Sequence, residues 1–355
     1  MHRSPYRAIS IALILAIGSF AVAACGSSDN NTTSSSAGAA STSTAAKPAG
    51  KKIKVGLVTD IGGLNDRSFN ALANKGLEDA KSSLGIEGRV LTSKSNADYV
   101  PNLSTLAEQK YDLVIAVGFL MGDATEKVAG KFPNVKFAII DSSAAGMKSK
   151  PKNVEGLLFK EQQSGYLAGY LAGLYTKSKG GKQVVGSVGG QKIPPVDHYI
   201  AGYQAGAKAA NPKIQALNGY SQDFVDQAKC KELALNQIQQ GAQVVFQVAG
   251  QCGLGVIDAA KEKGVQAIGV DADQSYLGPQ VLTSAIKKVD VAAFDTAKAA
   301  QDGTFKGGTN KTFDLNNNGT GIGKISSAGQ QYASKVDAVR KKVADGSVSV
   351  PNTVK

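Results

Sequence analysis

Short apolar runs alternate with longer amphipathic segments along most of this chain, and the two periods predict an α/β protein. Val- and Ile-rich runs at 52–60, 89–92, 111–118, 136–141, 183–189, 213–218, 242–250 and 266–272 are almost continuously apolar, the pattern of strands covered on both faces. Between them, apolar residues recur at helical spacing. After Asp66, the residues Phe69, Leu72, Ala73, Gly76, Leu77, Ala80 and Leu84 trace one face, and Gly85 stands where a left-handed residue would end the helix. Strand and helix alternating over such a length imply parallel sheets with right-handed crossovers.

The order also looks duplicated. Each half opens with strand, loop and helix and later supplies a strand ending on a carboxylate, Asp141 in the first and Asp271 in the second, without a strict residue repeat. The expected architecture is therefore two Rossmann-like lobes joined by a hinge around one cleft. The first lobe takes 51–165 plus about 290–325, and the second 166–289 plus about 326–355. The Gly- and Tyr-rich helix at 165–175 is expected to cross between them. Hinged lobes can close on a ligand and exclude water.

The densest local signal is VGLVTDIGGLNDRSFN, from Val55 to Asn70. An apolar strand ends at Asp60, Gly62 and Gly63 allow a tight turn, and Asn65 or Asp66 can cap the next helix. Loops at the carboxyl ends of such strands face the crevice where small molecules bind. The plain alternative is an ordinary strand-turn-helix corner in which Asp60 and Asp66 only brace the turn.

The N-terminus reads as a lipoprotein signal peptide over residues 1–24. Arg3 and Arg7 precede an apolar run that ends in Val22-Ala23-Ala24-Cys25, a charged region, a hydrophobic region and a small-residue cleavage site. The run is broken by Ser10, Gly18 and Ser19 and is too short for a membrane span. VAAC resembles the lipobox of bacterial lipoproteins, which makes Cys25 the site of lipidation, palmitate being one such acyl group. Residues 25–50 are mostly Ser, Thr, Ala, Asn and Gly, a tether that cannot bury enough apolar surface to order itself. Acyl chains would hold its tip in the membrane, each buried methylene contributing about 0.8 kcal/mol.

About 305 residues remain, enough for two lobes, and the formal charge of +12 falls to about +10 without Arg3 and Arg7. The lysines are scattered, which suits a solvated surface near an anionic envelope better than nucleic-acid binding. Of three cysteines, Cys230 and Cys252 stay in the folded part, and spacing alone does not decide whether they pair. His198 is the one histidine beyond the signal, and no Cys/His spacing suggests zinc or another metal. DLNNNG at 314–319 partly matches a calcium loop, but Ile325 occupies the position that needs a bidentate glutamate, so a hairpin with an Asn-Gly turn is expected.

Across the whole chain after Lys51, an ordered set of segments resembles the basic membrane protein family, whose founding nucleoside binder is a substrate-binding lipoprotein of an ABC importer. The segments are VGLVTDIGGLNDRSFN, NADYVPNL, FPNVKFAIID, EQQSGYLAGYLAG, VVFQVAGQCGLGVIDAAKEKG, IGVDADQ and VLTSAIKKVD. The resemblance implies the type I periplasmic-binding-protein-like fold, a purine nucleoside between the lobes, ABC permease subunits as partners, no cofactor and a monomer on the extracytoplasmic face. It places Phe69 and Tyr220 as aromatic walls on a purine, with Tyr220 where the founding binder has phenylalanine. In that frame Asp141 accepts from the base, Asn70 offers donor and acceptor, and Asp271 and Lys287 hold the ribose. Asp60 and Asp66 lie beside the same loop. Gly118 and Gly250 let backbone approach the ligand. Gln251 and Cys252 near the cleft leave the base preference open.

Each residue also has a plainer role. Phe69 can be the core face of its helix, Tyr220 a surface loop residue and Lys287 a solvated lysine. Asp271 is harder to dismiss, because a carboxylate after an apolar strand needs a partner. Two facing aspartates suggest nucleoside hydrolysis, but the sequence has no Walker, GxSxG or HExxH motif. A ribose-like sugar receptor is the nearer rival, and a DNA-binding regulator lacks a helix-turn-helix candidate.

Overall fold

The computed structural model describes residues 50–354. The expected signal peptide, Cys25 and nearly all of the tether lie outside the described residues. Two six-stranded sheets are present, and their strand orders correspond position by position. The first contains β1 Lys54–Val58, β2 Glu87–Leu91, β3 Leu113–Val117, β4 Lys136–Ile140, β5 Val154–Phe159 and β11 Asn310–Phe313, in the order β11-β5-β4-β3-β1-β2. The second contains β6 Val184–Gly189, β7 Gln215–Tyr220, β8 Ala242–Val248, β9 Gln266–Asp271, β10 Val281–Lys287 and β12 Thr320–Ile322, in the order β12-β10-β9-β8-β6-β7. All pairings are parallel except that of β10 with β12.

Helices α1 Phe69–Leu84, α2 Tyr99–Glu108, α3 Gly122–Lys131 and α8 Val289–Asp302 cover the first sheet and share its core. Around the second lie α4 Glu161–Lys179, α5 Pro194–Ala210, α6 Gln227–Gln239, α7 Leu254–Lys263 and α9 Ala333–Ala344. Gly85 ends α1 at φ 68° with its N–H on the Lys81 carbonyl, as the spacing predicts. Residues 166–175 of α4 belong to the second core, so the chain passes from the first sheet to the second at Lys160, ahead of the helix body. Glycine permits that packing. A Cβ on Gly169 would stand 2.0 Å from the Tyr203 carbonyl oxygen, and one on Gly206 would stand 2.0 Å from that of Tyr166. Only bare backbone lets α4 and α5 approach so closely.

The expected hairpin at 314–319 is not one. β11 and β12 flank this segment but belong to different sheets, so the turn redirects the chain from one lobe to the other. Asp314 fixes it by accepting from the N–H groups of Asn316 and Asn317, while Gly319 N–H reaches the Asp314 carbonyl. The strand pattern did not reveal β5 or β10. Glu155 and Gly156 interrupt one apolar run, while Thr283 and Ser284 interrupt the other.

Candidate functional site

Strand ends from both sheets converge on one cavity. It spans about 620 Å³, including space continuous with solvent. Six of the expected residues reach it from the first lobe: Asp60, Asp66, Phe69, Asn70, Gly118 and Asp141. Three reach it from the second: Gly250, Asp271 and Lys287. Tyr220 does not. As the last residue of β7, it donates from its hydroxyl to Asp197 Oδ1 at 2.6 Å and packs its ring against Gly189. Phe224, four residues on, lines the cavity instead.

The loop after β1 is braced from within. Asp60 N–H donates to Asn70 Oδ1 at 2.9 Å, while Asp60 Oδ1 accepts from Ile61 N–H and the Tyr99 hydroxyl. Burial pushes the Asp60 carboxyl up to about 6, against the opposing hydrogen bond from Tyr99. Asp66 accepts from the N–H group of Ser68, just ahead of α1, and from those of Asn70 and Ala71, free donors of its first turn. Burial raises its pKa also. Gly118, at φ 119°, closes the corner, since a Cβ there would meet Asp60 Oδ2 at 2.4 Å.

Asp141 and Asp271 occupy equivalent places, one directly after β4 and the other ending β9. Both are left-handed, at φ 68° and 60°. A non-glycine residue held there costs of order 1 kcal/mol or more, and such strain gathers at functional sites. Asp271 is satisfied from two directions: Tyr199 OH donates to Oδ1 at 2.9 Å and Ser68 Oγ to Oδ2 at 2.8 Å.

Lys287, 2% exposed, is the central cation. Its Nζ lies 2.6 Å from Asp141 Oδ2 and 3.0 Å from Glu161 Oε1, with the rings of Phe69 and Phe159 at 5.0 and 4.9 Å. Burial works against its charge, but Asp141, Glu161 and Asp271 together hold its pKa above the usual lysine value. Burial lifts Asp141 to about 7, opposed by Lys287 and reinforced by Glu161. Asp271 is raised by burial, with Lys287 again opposing. Burial also works against a charged Glu161, but Lys287 and His198 outweigh it and leave that carboxyl below its ordinary value. Asp141 Oδ1 is the exception in this network, buried with no hydrogen-bond partner.

Sequence reasoning missed Tyr199, Phe119, Ile193, Val196 and Phe224 in the lining, and Glu161 behind it. Glu161 opens the segment EQQSGYLAGYLAG, but nothing in its spacing marks it as the partner of a lysine 126 residues away. Cys230 and Cys252 form a disulfide with Cα atoms 5.6 Å apart, tying α6 to the loop that carries Gly250 and Gln251. Among the described residues, no group of three His, Cys, Asp or Glu side chains is arranged for a metal, and no helix is long and apolar enough to cross a membrane.

Known proteins share this arrangement. Residues 53–354 match the family model described as ABC transporter substrate-binding protein, PnrA-like. A relative from Lactococcus lactis, named an ABC transporter nucleoside-binding protein, is 34% identical over 84% of this chain and 89% of its own. A Pyrococcus abyssi protein named an uncharacterized lipoprotein is 36% identical over 86% of this chain and 78% of its own. Among solved structures, an ABC transporter solute-binding protein from Aeropyrum pernix superposes with a TM-score of 0.77 at 26% identity, covering 85% of this chain and 94% of that one. Such proteins are carriers without chemistry of their own, which sets aside the hydrolase reading of the facing aspartates. Two matched parallel sheets, a cavity between their strand ends and a family match over nearly the whole folded chain lead to one assignment: this protein belongs to the PnrA-like family of ABC transporter substrate-binding proteins.

Proposed function

We propose that this protein is a lipid-anchored, extracytoplasmic receptor that binds a purine nucleoside between its lobes and delivers it to an ABC permease. The observation that carries the reading is Asp141 Oδ1, a buried acceptor without a partner in a cavity walled by Phe69 and Phe224. A buried polar atom left unpaired costs about 1–3 kcal/mol, which a ligand N–H would recover. Phe69 and Phe224 supply flat apolar faces, each stacked pair adding about 0.5–1.5 kcal/mol beyond area burial. Asp271 retains lone pairs beyond those used by Tyr199 and Ser68, so a ribose diol can join them.

The name of the Lactococcus lactis relative supports a nucleoside as ligand, and that of the Pyrococcus abyssi relative supports lipidation at Cys25. Closure on the ligand would shift an open-to-closed equilibrium by the differential affinity for the two states, and the permease would read the closed form. A micromolar complex requires only about −8 kcal/mol. Calorimetric titration with adenosine, guanosine, inosine, cytidine and ribose tests this. Purine nucleosides binding well ahead of cytidine and ribose is the expected result, and tight binding of ribose alone would transfer the site to a sugar.

A further inference from the structure

One file of polar contacts runs from the surface of α5 to the base side of the cavity. His198 Nδ1 lies 3.0 Å from Glu161 Oε2, Glu161 Oε1 lies 3.0 Å from Lys287 Nζ, and Lys287 Nζ lies 2.6 Å from Asp141 Oδ2. His198 is 28% exposed, whereas the side chains of Glu161 and Lys287 are each 2% exposed. Asp141 and Glu161 contact this one buried ammonium, and Asp271 is near enough to act on its charge. With all three carboxylates ionised, Lys287 alone leaves the group at −2, and a protonated His198 brings it to −1.

We propose that His198 is a positioning residue that sets, through Glu161 and Lys287, whether Asp141 meets a bound purine as an acceptor or as a donor. The inference rests on the nucleoside reading above. An ionised Asp141 offers Oδ1 as an acceptor, which suits the N1–H of a 6-oxopurine. A proton on Oδ1 turns the group into a donor, which suits the unprotonated N1 of a 6-aminopurine. A cation at His198 lowers the cost of keeping Asp141 ionised, so it favours the 6-oxopurine. The balance is delicate because burial already lifts Asp141 to about 7.

Other groups around His198 do not supply the same charge. Beside it on α5, Asp197 takes the Tyr220 hydroxyl from β7. Lys160, ahead of α4, pairs with Asp314. Tyr199 is committed to Asp271. Strands β6 and β8 carry no titratable side chain. Histidine side chains in general change charge between pH 5 and 8, which fixes the pH values of the test.

Inosine and adenosine titrated into the wild type, His198→Gln and His198→Lys at about pH 5.5 and about pH 8.5 provide the test. At the acid pH, His198→Gln should lower the inosine-to-adenosine affinity ratio by roughly three- to tenfold, while His198→Lys keeps the wild-type ratio. At the alkaline pH the wild type and His198→Gln should agree, while His198→Lys, still cationic there, should keep the higher inosine-to-adenosine ratio. An unchanged ratio in His198→Gln at acid pH overturns the inference, and so does an equal change at both pH values, which marks a packing effect. If the wild type binds neither nucleoside, the underlying reading fails and this inference with it. Binding with no pH-dependent change in the ratio sinks this inference alone.

Discussion

Ser68 Oγ donates to Asp271 Oδ2 at 2.8 Å, although Ser68 precedes α1 in the first lobe and Asp271 ends β9 in the second. A second bond runs beside it, from Gln274 Nε2 to the Arg67 carbonyl at 3.3 Å. The lobes therefore hold each other through the same carboxylate that faces the cavity. On the proposed nucleoside reading, Asp271 serves closure and recognition together.

That relationship makes Ser68→Ala informative. A hydrogen bond to a charged group contributes about 1.5–3 kcal/mol, and this one exists only while the lobes meet. Its loss should favour the open form and weaken nucleoside binding by roughly tenfold. Small-angle scattering of the ligand-free variant should show a larger radius of gyration than the wild type. Unchanged affinity and radius would remove Ser68 from closure.

Asp60 gives a prediction about pH and stability. Its folded-state pKa is raised from 3.8 to about 6, so between these values the folded protein binds more protons at this site than the unfolded chain. Stability from Asp60 is therefore greatest below about pH 4 and falls as pH rises toward 6, by about 3 kcal/mol in all. Asp60→Asn removes the titration yet retains an acceptor for Ile61 N–H and the Tyr99 hydroxyl. Urea unfolding at several pH values from 4 to 7 should show a smaller decline with rising pH in the variant. Parallel curves for the two proteins would contradict the raised value.

Phe224 and Tyr220 separate what the sequence revealed from what it hid. The loop after β1, the paired Asp141 and Asp271 and the glycines at strand ends were legible, because strand period and turn chemistry place such residues at the carboxyl edge of a sheet. Tyr220 also ends a strand, but its hydroxyl finds Asp197 and draws the ring toward Gly189. Nothing local to the sequence reports that pull. Glu161 was hidden for the same reason, since its partner Lys287 arrives from a distant strand. Phe224→Ala should weaken nucleoside binding roughly ten- to fiftyfold through lost stacking and burial, while Tyr220→Phe should leave affinity within about twofold, the Asp197 bond being structural. Calorimetry on both variants decides, and the reverse ranking would restore Tyr220 as the aromatic wall.

The Cys230–Cys252 bridge links the cavity to the compartment. Disulfides persist where the surroundings oxidise, which agrees with the extracytoplasmic receptor proposed above. The bridged residues are 22 apart, and closing a loop of that size in the unfolded chain is worth about 3 kcal/mol. The bridge also fixes the loop carrying Gly250 and Gln251, where Cys252 N–H holds the Phe224 carbonyl at 3.0 Å. Replacing both cysteines with serine should therefore lower the melting temperature by several degrees. It should weaken nucleoside binding as well, because Phe224 and Gln251 lose a shared support. A reductant should reproduce both effects in the wild type and neither in the variant. Lower stability with unchanged affinity would confine the bridge to the fold and leave the cavity wall supported by packing alone.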